Sequence, residues 1–276
     1  MHINYNYLKN KYLNYFEGNE DSCNFILTDV IFGFNEISEI LKKNNITSVL
    51  EIGSGTGILL NELQNNFPNI NFKGVDPNVS GFHNYKKIFD KIKINNNKLE
   101  VVNKSLDNFA TDEKYDFIFS INVFEHVKNQ FDYIDKTVNL LNESGRNVII
   151  CPNYDFPYEP HFVLPIIINK KITHSLFKSV IKKHELKTKE YGLWTELNLT
   201  GKKTIEKYLK KNHISYNLDY SIKERILQRV SGDKIFKKRQ GVAATLAVIC
   251  KFFFIDKIIF NILKIPFPYM KLIIKK

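Results

Sequence analysis

Apolar residues in the first half of the chain form short continuous runs separated by stretches with helical spacing. Runs typical of buried strands lie at 48–53, 70–75, 99–103, 115–121 and 146–151. Helical spacing lies at 57–66, at about 80–92 and at 130–142, where Gly145 follows as an expected stop signal. This alternation of strand and helix predicts an α/β fold with a parallel, doubly wound sheet and right-handed crossovers.

The pattern changes on both sides of this alternation. Helical spacing over 25–43 precedes it, and a helix over 201–211 and a strand over 214–220 follow it. Residues 269–274 fit a last strand of the same sheet, which makes 221–268 a helical insertion. We therefore predict three parts: an N-terminal helical cap at 1–46, a core at 47–220 with an insertion at 152–200, and a basic, apolar C-terminal extension at 221–276.

Three glycines separate the first predicted strand from its helix. Gly53, Gly55 and Gly57 permit positive φ angles and let a ligand approach the backbone, beside the free N–H groups of the helix start. Their spacing differs from the G-x-G-x-x-G of dinucleotide-binding domains, and no Lys-Ser/Thr pair follows as in a P-loop. Asp76 ends the second strand, where a carboxylate can accept hydrogen bonds from both ribose hydroxyls. The pattern favours a nucleoside ligand without a phosphate chain.

Three segments fall in the order and spacing of a known family. Residues 49–57 read Val-Leu-Glu-Ile-Gly-Ser-Gly-Thr-Gly, residues 74–76 read Gly-Val-Asp, and residues 115–127 read Tyr-Asp-Phe-Ile-Phe-Ser-Ile-Asn-Val-Phe-Glu-His-Val. They resemble the class I S-adenosylmethionine-dependent methyltransferases, and the third resembles the branch with quinone and surface-polysaccharide sugar methyltransferases. The resemblance, over about residues 45–152, implies a Rossmann-like fold with a mostly parallel, seven-stranded sheet and S-adenosylmethionine as cofactor.

The resemblance also implies which residues bind the cofactor. These are Glu51, Gly53, Ser54, Gly55, Gly57, Asp76, Ser105, Leu106 and Asn122. The glycines are expected to receive the amino-acid end of the cofactor, Asp76 the ribose, and Ser105 and Leu106 the adenine ring. A core role explains Leu106 equally well, and a turn-forming asparagine is the other interpretation of Asn122.

The segment after the fifth strand, residues 152–162, is the candidate acceptor site. Its three prolines stiffen it, and its four aromatic residues lie among carboxylates and a histidine. Such a surface suits a polyhydroxylated ring, and the segment resembles one in methyltransferases from bacterial surface-polysaccharide gene sets. The predicted acceptor-binding residues are Tyr154, Tyr158, Glu159 and Trp194, although a core position explains Trp194 as well.

Two histidines are candidate catalytic residues, His161 and His126. Histidine is the usual general base near neutral pH, and a base is needed when the attacking group arrives protonated. The motif around His126 occurs in relatives with unrelated acceptors, which favours a structural role there, so His161 is the better candidate. No His/Asp cluster has the spacing of metal ligands, and we predict a metal-independent enzyme.

Charge is distributed unevenly along the chain. Residues 1–150 carry a formal charge of −4 and residues 151–276 carry +15, which together give +11. This asymmetry suggests an anionic partner for the second half, such as a membrane surface, a phosphorylated substrate or nucleic acid. A solvated, lysine-rich surface explains it equally well. Three cysteines without a C-x-x-C pair, and no signal-peptide pattern, predict a cytoplasmic protein.

The C-terminal extension is apolar as well as basic. Residues 242–250 are apolar except for Thr245, and 252–265 are mostly apolar, but charged residues interrupt the run too often for a transmembrane helix. The extension could lie in a membrane interface or form a hairpin that packs on the core. We favour peripheral contact with the inner face of the cell membrane.

The leading functional hypothesis is O-methylation of a sugar hydroxyl on a surface glycan or on its membrane- or nucleotide-linked precursor. The alternative is O-methylation of a quinone-type lipid ring. Nucleic-acid methylation is disfavoured because Val123 and Phe124 follow Asn122, where amino-methylating enzymes carry Pro-Pro-aromatic. A cofactor-binding protein without catalysis is a further alternative, and the pattern leaves the oligomeric state open.

Overall fold

The computed structural model describes residues 3–77, 83–188, 190–253 and 255–276. Its helices are α1 Tyr5–Tyr12, α2 Glu20–Lys43, α3 Ile58–Asn66, α4 His83–Asn95, α5 Gln130–Leu140, α6 Lys170–Thr188, α7 Leu193–Glu196, α8 Lys202–Lys211, α9 Ile222–Gly232, α10 Lys234–Phe252 and α11 Ile255–Lys257. Its strands are β1 Ser48–Ile52, β2 Asn71–Val75, β3 Val101–Val102, β4 Tyr115–Ile121, β5 Leu141–Pro152, β6 Tyr158–Glu159, β7 Leu164–Pro165, β8 Ser215–Leu218 and β9 Tyr269–Lys275.

Seven of these strands form one sheet in the order β3-β2-β1-β4-β5-β9-β8. Strand β1 is parallel to β2 and β4, and β2 is parallel to β3. The neighbouring strands β1 and β4 are rich in apolar residues because both faces of such a sheet are covered, and Val49, Leu50, Phe117 and Ile118 are fully buried. The predicted fold class, a doubly wound, mostly parallel, seven-stranded sheet with N-terminal helices and a helical C-terminal insertion, is confirmed.

The chain forms two compact units. The first comprises Met1–Ile121, Asp132–Val148 and Lys275–Lys276, and the second comprises Asn122–Phe131 and Ile149–Ile274. The predicted division into a cap, a core and an extension stays a prediction.

In the first unit, the N-terminal helices are attached to the helix that follows the glycine turn. The buried carboxylate of Glu62, on α3, accepts hydrogen bonds from Tyr12 Oη at 2.5 Å and from Lys11 Nζ at 2.7 Å. Asn61 Nδ2 donates to the same tyrosine oxygen at 2.6 Å. A buried carboxylate is stable only with such partners, so this network specifies the position of α1.

Two expectations about element boundaries were wrong. Gly145 does not stop a helix, because α5 ends at Leu140 and Gly145 lies inside β5. A Cβ atom at this position would lie 2.9 Å from the carbonyl oxygens of Tyr115 and Asn142, so a glycine is needed for close backbone packing. Helix α2 starts at Glu20 rather than at 25, with the side chain of Asn19 capping it. The predicted start of the helix near residue 80 lies outside the described residues.

In the second unit, β6 and β7 form a small antiparallel hairpin that pairs Glu159 with Leu164. Helices α9 to α11 lie between β8 and β9 in the chain, as the predicted insertion requires. Helix α10 is kinked at Gly241, which has a φ of +52°. Among the described residues, no helix is both long enough and apolar enough to cross a membrane.

Candidate functional site

Three parallel strands of the first unit end at one edge of the sheet. Ile52 lies opposite Val75, and Val75 lies opposite Val102, so β1, β2 and β3 end level with one another. The Gly53 N–H donates to Val75 O at 2.7 Å, and the Asp76 N–H donates to Val102 O at 3.1 Å. Ligands of such folds bind outside the carboxyl ends of the strands, where the motif residues lie.

The glycine turn has the left-handed backbone that its sequence predicts. Gly53, Gly55 and Gly57 have φ angles of +77°, +52° and +72°. A Cβ atom would lie 2.8 Å from the ring of Phe89 at Gly57 and 3.2 Å from the ring of Tyr85 at Gly55. Larger residues would therefore strain the backbone and crowd these rings.

Asp76 is joined directly to this turn. Its Oδ2 accepts a hydrogen bond from the Gly55 N–H at 2.7 Å. We call the four residues Gly53, Gly55, Gly57 and Asp76 the glycine edge. The bond between the Asp76 side chain and the Gly55 backbone joins the first two sequence motifs.

Glu51, at the end of β1, is a buried carboxyl beside this edge. Burial raises its pKa to about 8. Its Oε2 accepts no hydrogen bond from any described residue. An unsatisfied buried acceptor is costly, and a ligand that donates an N–H group would satisfy it.

The remaining predicted cofactor residues of the first unit lie close to the strand ends. Ser54 Oγ lies 3.4 Å from Glu51 O, and it occupies the space that a side chain on Gly74 would need. Ser105 immediately precedes the short 3-10 turn Leu106–Asn108, and Leu106 is 8% exposed. Adenine contacts from these two residues stay a prediction.

In the second unit, Asn122 is the first residue after β4 in the chain. It adopts a φ of +54°, in the left-handed region that asparagine tolerates. Its N–H donates to Ile150 O at 2.9 Å, and its Oδ1 accepts a hydrogen bond from the Tyr269 hydroxyl. The turn-forming role therefore describes its backbone, and cofactor binding by Asn122 stays a prediction.

The next turn, Phe124–His126, is anchored by a residue that the sequence did not indicate. The Asn198 N–H donates to Glu125 O at 2.9 Å, and Asn198 Nδ2 donates to Phe124 O at 2.8 Å. These bonds hold Glu125 and His126 in place. An asparagine more than seventy residues away carries no local signal for this role.

His161 is paired with Glu159 in the acceptor segment. Its Nδ1 lies 2.6 Å from Glu159 Oε1, and Glu159 also accepts bonds from the Phe162 N–H at 2.7 Å and Tyr154 Oη at 3.2 Å. Burial raises the pKa of Glu159, but the charge and hydrogen bonds of its neighbours outweigh this and hold the pKa below its usual range. Burial lowers the pKa of His161, but Glu159 and Glu125 outweigh it and raise the pKa.

A second carboxylate approaches the other ring nitrogen of His161. Glu125 Oε1 lies 3.8 Å from Nε2, and neither oxygen of Glu125 accepts a hydrogen bond within the described chain. Burial raises the pKa of Glu125 to about 7. The ring of His126 meets that of His161 edge to face at 5.3 Å, and burial lowers the pKa of His126 to about 3.

We call Glu125, His126, Glu159 and His161 the Glu–His cluster. Sequence reasoning missed Glu125 as a site residue, and the only local signal was its place directly before His126. Ligand atoms of Glu125, His126 and His161 lie within 4.8 Å of one another, a spacing that could hold a metal ion. Metal independence therefore stays a prediction.

The aromatic residues assigned to the acceptor occupy different surroundings. Trp194 is 4% exposed and contacts the ring of Phe162 edge to face at 5.5 Å, so it supports the acceptor segment from within the unit. Tyr158 is half-buried, and its hydroxyl donates to Gln240 Oε1 at 2.9 Å. Direct acceptor contacts from these residues stay predictions.

A comparison with known protein families agrees with the cofactor site that the glycine edge suggests. A family described as methyltransferase domain matches residues 29–199, which is more than half of the chain. The protein belongs to this methyltransferase domain family. The identification made from the three sequence motifs is confirmed at this level.

Two relatives share parts of the sequence. An uncharacterized protein of Mycobacterium tuberculosis is 24% identical over 196 residues, which are 70% of this chain and 66% of that protein. The chain therefore matches just under two thirds of that relative's length. Malonyl-acyl-carrier-protein O-methyltransferase 2 of Ilyobacter polytropus is 34% identical over 93 residues, 33% of this chain and 34% of that protein.

A solved structure shares the fold. The plantazolicin methyltransferase BpumL, in complex with a pentazolic desmethylPZN analog and SAH, has a TM-score of 0.53 at 15% sequence identity. The match covers 94% of this chain and 91% of that one. The fold is that of the class I S-adenosylmethionine-dependent methyltransferases.

Proposed function

We propose that the protein transfers a methyl group from S-adenosylmethionine to a sugar hydroxyl, on a surface glycan or on its membrane- or nucleotide-linked precursor. The Glu–His cluster is the observation that supports a sugar hydroxyl as the methyl acceptor. It places a histidine held by one carboxylate beside a second carboxylate, within a segment rich in tyrosine. Carboxylate oxygens and a neutral imidazole nitrogen accept hydrogen bonds from hydroxyl groups, and tyrosine faces suit a sugar ring.

The glycine edge fits S-adenosylmethionine. The turn exposes backbone where a side chain would intrude, Asp76 stands at the end of β2, and Glu51 has an oxygen without a hydrogen-bond donor among the described residues. BpumL, which shares the fold, was crystallised with SAH. When bound, the cofactor supplies a methyl group activated by a positively charged sulfur. Gly53, Gly55 and Gly57 would face its amino-acid end, and Asp76 its ribose.

His161 is the proposed general base. With Nδ1–H donated to Glu159, the lone pair of the neutral ring lies on Nε2, which can accept the proton of the acceptor hydroxyl. Glu159 keeps the ring in this tautomer and stabilises its charged form. Glu125 lies close enough to Nε2 to accept a hydrogen bond from a second hydroxyl of the same sugar. His126, whose lowered pKa keeps it neutral, is proposed to shape the cluster and not to transfer a proton.

A quinone-type ring is the second candidate acceptor. Large apolar side chains of the C-terminal helices, such as Val242 and Phe252, are exposed to solvent and would suit a lipid-soluble substrate. A phenolic hydroxyl would use the same base.

The test is transfer of labelled methyl from S-adenosylmethionine to a panel of nucleotide sugars, lipid-linked sugars and quinols, with and without EDTA. We expect transfer to a sugar, no effect of EDTA, and a loss of about 100-fold or more in His161→Asn. His213→Asn is the matched control, because His213 is exposed and has a φ of +53° that asparagine tolerates. Transfer to a quinol alone would select the second candidate, and unchanged activity in His161→Asn would exclude this base.

A further inference from the structure

Helix α10 exposes its large apolar side chains along one face. Val242, Leu246 and Ile249 follow one another at helical spacing and are 74%, 56% and 44% exposed. Phe252 and Phe253 extend this face, with their rings edge to face at 5.0 Å. A helix that packs in a core shows the opposite arrangement, with its large apolar residues covered.

Exposed apolar residues also follow α10 in the chain. We define the C-terminal apolar surface by residues that are all exposed: Val242, Leu246, Ile249, Phe252, Phe253, Ile255, Ile258, Ile262, Leu263 and Ile265. Scattered apolar residues are normal on a protein surface, but ten large exposed apolar residues within one 24-residue segment mark an interaction site.

Positive charge accompanies this surface. Lys234, Lys237 and Lys238 are exposed in the first part of α10, before the kink at Gly241. Residues 234–265 contain seven basic residues and a single acidic one, Asp256, which is buried. The segment therefore presents lysines and apolar side chains without an exposed carboxylate.

We propose that this segment docks the protein on an anionic membrane surface, with the lysines at the phospholipid headgroups and the apolar side chains in the interface. Basic residues beside an amphipathic apolar face are the combination that binds such surfaces. The eleven residues after Gly241 span about 17 Å as a helix, which is too short for a hydrocarbon core of about 30 Å, so the helix lies in the interface. A second copy of the chain is a poorer occupant, because two such surfaces would bring like charges together.

The experiment is sedimentation of the full chain with vesicles of phosphatidylcholine alone, or mixed with equal phosphatidylglycerol. We expect binding to the mixed vesicles that weakens as salt is raised, because salt screens the headgroup charge. The triple variant Lys234→Gln/Lys237→Gln/Lys238→Gln should bind roughly 100-fold more weakly. The pair Phe252→Ser/Phe253→Ser should lose roughly tenfold or more, through the apolar contribution.

Matched controls use helix α6, which is also basic and exposed. Lys178→Gln/Lys182→Gln/Lys183→Gln removes the same charge, and Leu176→Ser/Leu186→Ser removes comparable exposed apolar area. We expect both controls to bind the mixed vesicles like the wild type. All substituted residues are exposed, so circular dichroism should show unchanged folding.

Several results would overturn the proposal. These are equal binding to both vesicle types, no effect of the α10 variants, or an equal loss in the α6 controls. Sedimentation equilibrium gives an independent readout: a dimer without lipid that Phe252→Ser/Phe253→Ser dissociates would assign the surface to a second copy. Vesicle binding needs no methyl transfer, so the docking proposal and the proposed activity can fail separately.

Discussion

The glycine edge and the Glu–His cluster are built in opposite ways. The glycine edge is made mainly of backbone, with positive φ angles at three glycines and one carboxylate that accepts a backbone N–H. The Glu–His cluster is made of ionisable side chains, with buried glutamates and half-buried histidines, and two of these residues come from one turn and two from the hairpin segment. The first offers shape and hydrogen-bond donors, and the second offers groups that can exchange protons.

This difference explains why one region identifies the family and the other does not. Backbone shape depends on which residues follow one another, so a cofactor site of this kind leaves a readable motif. A cluster of titratable side chains depends on which residues fold together, and its chemistry depends on burial. The acceptor chemistry of a methyltransferase can therefore vary while its cofactor motif stays.

The largest expected effect is on the glycine edge. Asp76→Ala removes the proposed ribose contacts and the hydrogen bond from Gly55, and we expect affinity for S-adenosylmethionine to fall about 100-fold or more. Titration calorimetry measures this. Asp112→Ala, an exposed carboxylate of the same unit, should bind the cofactor normally. Undiminished affinity in Asp76→Ala would show that the cofactor assignment is wrong.

A somewhat smaller effect is expected in the Glu–His cluster. Glu159→Gln removes the main group that raises the pKa of His161, so the rise of methyl-transfer rate with pH should move to lower pH. We also expect the maximal rate to fall by about tenfold to 100-fold, because the ring loses the partner that orients it. Affinity for S-adenosylmethionine should stay within about twofold. An unchanged pH profile in Glu159→Gln would show that Glu159 does not influence the pKa of the catalytic base.

The smallest effect concerns stability. The folded-state pKa of Glu125 is raised to about 7, so this carboxyl destabilises the fold increasingly as pH rises from the ordinary carboxyl range to about 7. Glu125→Gln should therefore raise the free energy of unfolding at pH 8 by about 1–2 kcal/mol, and have little effect near pH 4. Urea denaturation at both pH values tests this.

Glu143→Gln is the control for the stability prediction, because the side chain of Glu143 is 94% exposed. We expect it to change the free energy of unfolding by less than about 0.5 kcal/mol at either pH. If Glu125→Gln were less stable than the wild type at pH 8, the carboxylate would have a stabilising partner in the folded protein. A gain in stability with a loss of sugar methylation would mark Glu125 as a residue kept for function.

Local pattern predicted much of the first unit correctly. Apolar runs located β1, β2 and β4, and the glycine spacing located the turn and its positive φ angles. Gly145 was misread because a glycine after helical spacing looks like a helix stop, whereas here it permits close backbone packing inside β5. Helix α1 has no clean apolar period, and it is held by the buried Leu8 and by the Tyr12–Glu62 network.

The second unit was less predictable because its contacts join residues far apart in the chain. The anchoring of the Glu125 turn by Asn198 depends on side-chain hydrogen bonds that no local spacing signals. The residues around Trp194 in the sequence do not indicate its contacts. Its packing against the ring of Phe162 is a property of the folded chain. Exposure of the apolar residues in α10 is also a property of the folded chain, since the same residues could equally have formed a core.

The sequence by itself determined the order of strands and helices from β1 to β5, the conformation of the glycine turn and the methyltransferase family, because each depends on neighbouring residues and on backbone sterics. Only the tertiary structure decided which ionisable groups meet, which nitrogen of His161 faces which carboxylate, and which apolar residues stay exposed. The physical reason is that proton affinity and solvent exposure depend on what surrounds a side chain in space. That surrounding is set by packing between segments distant in the chain.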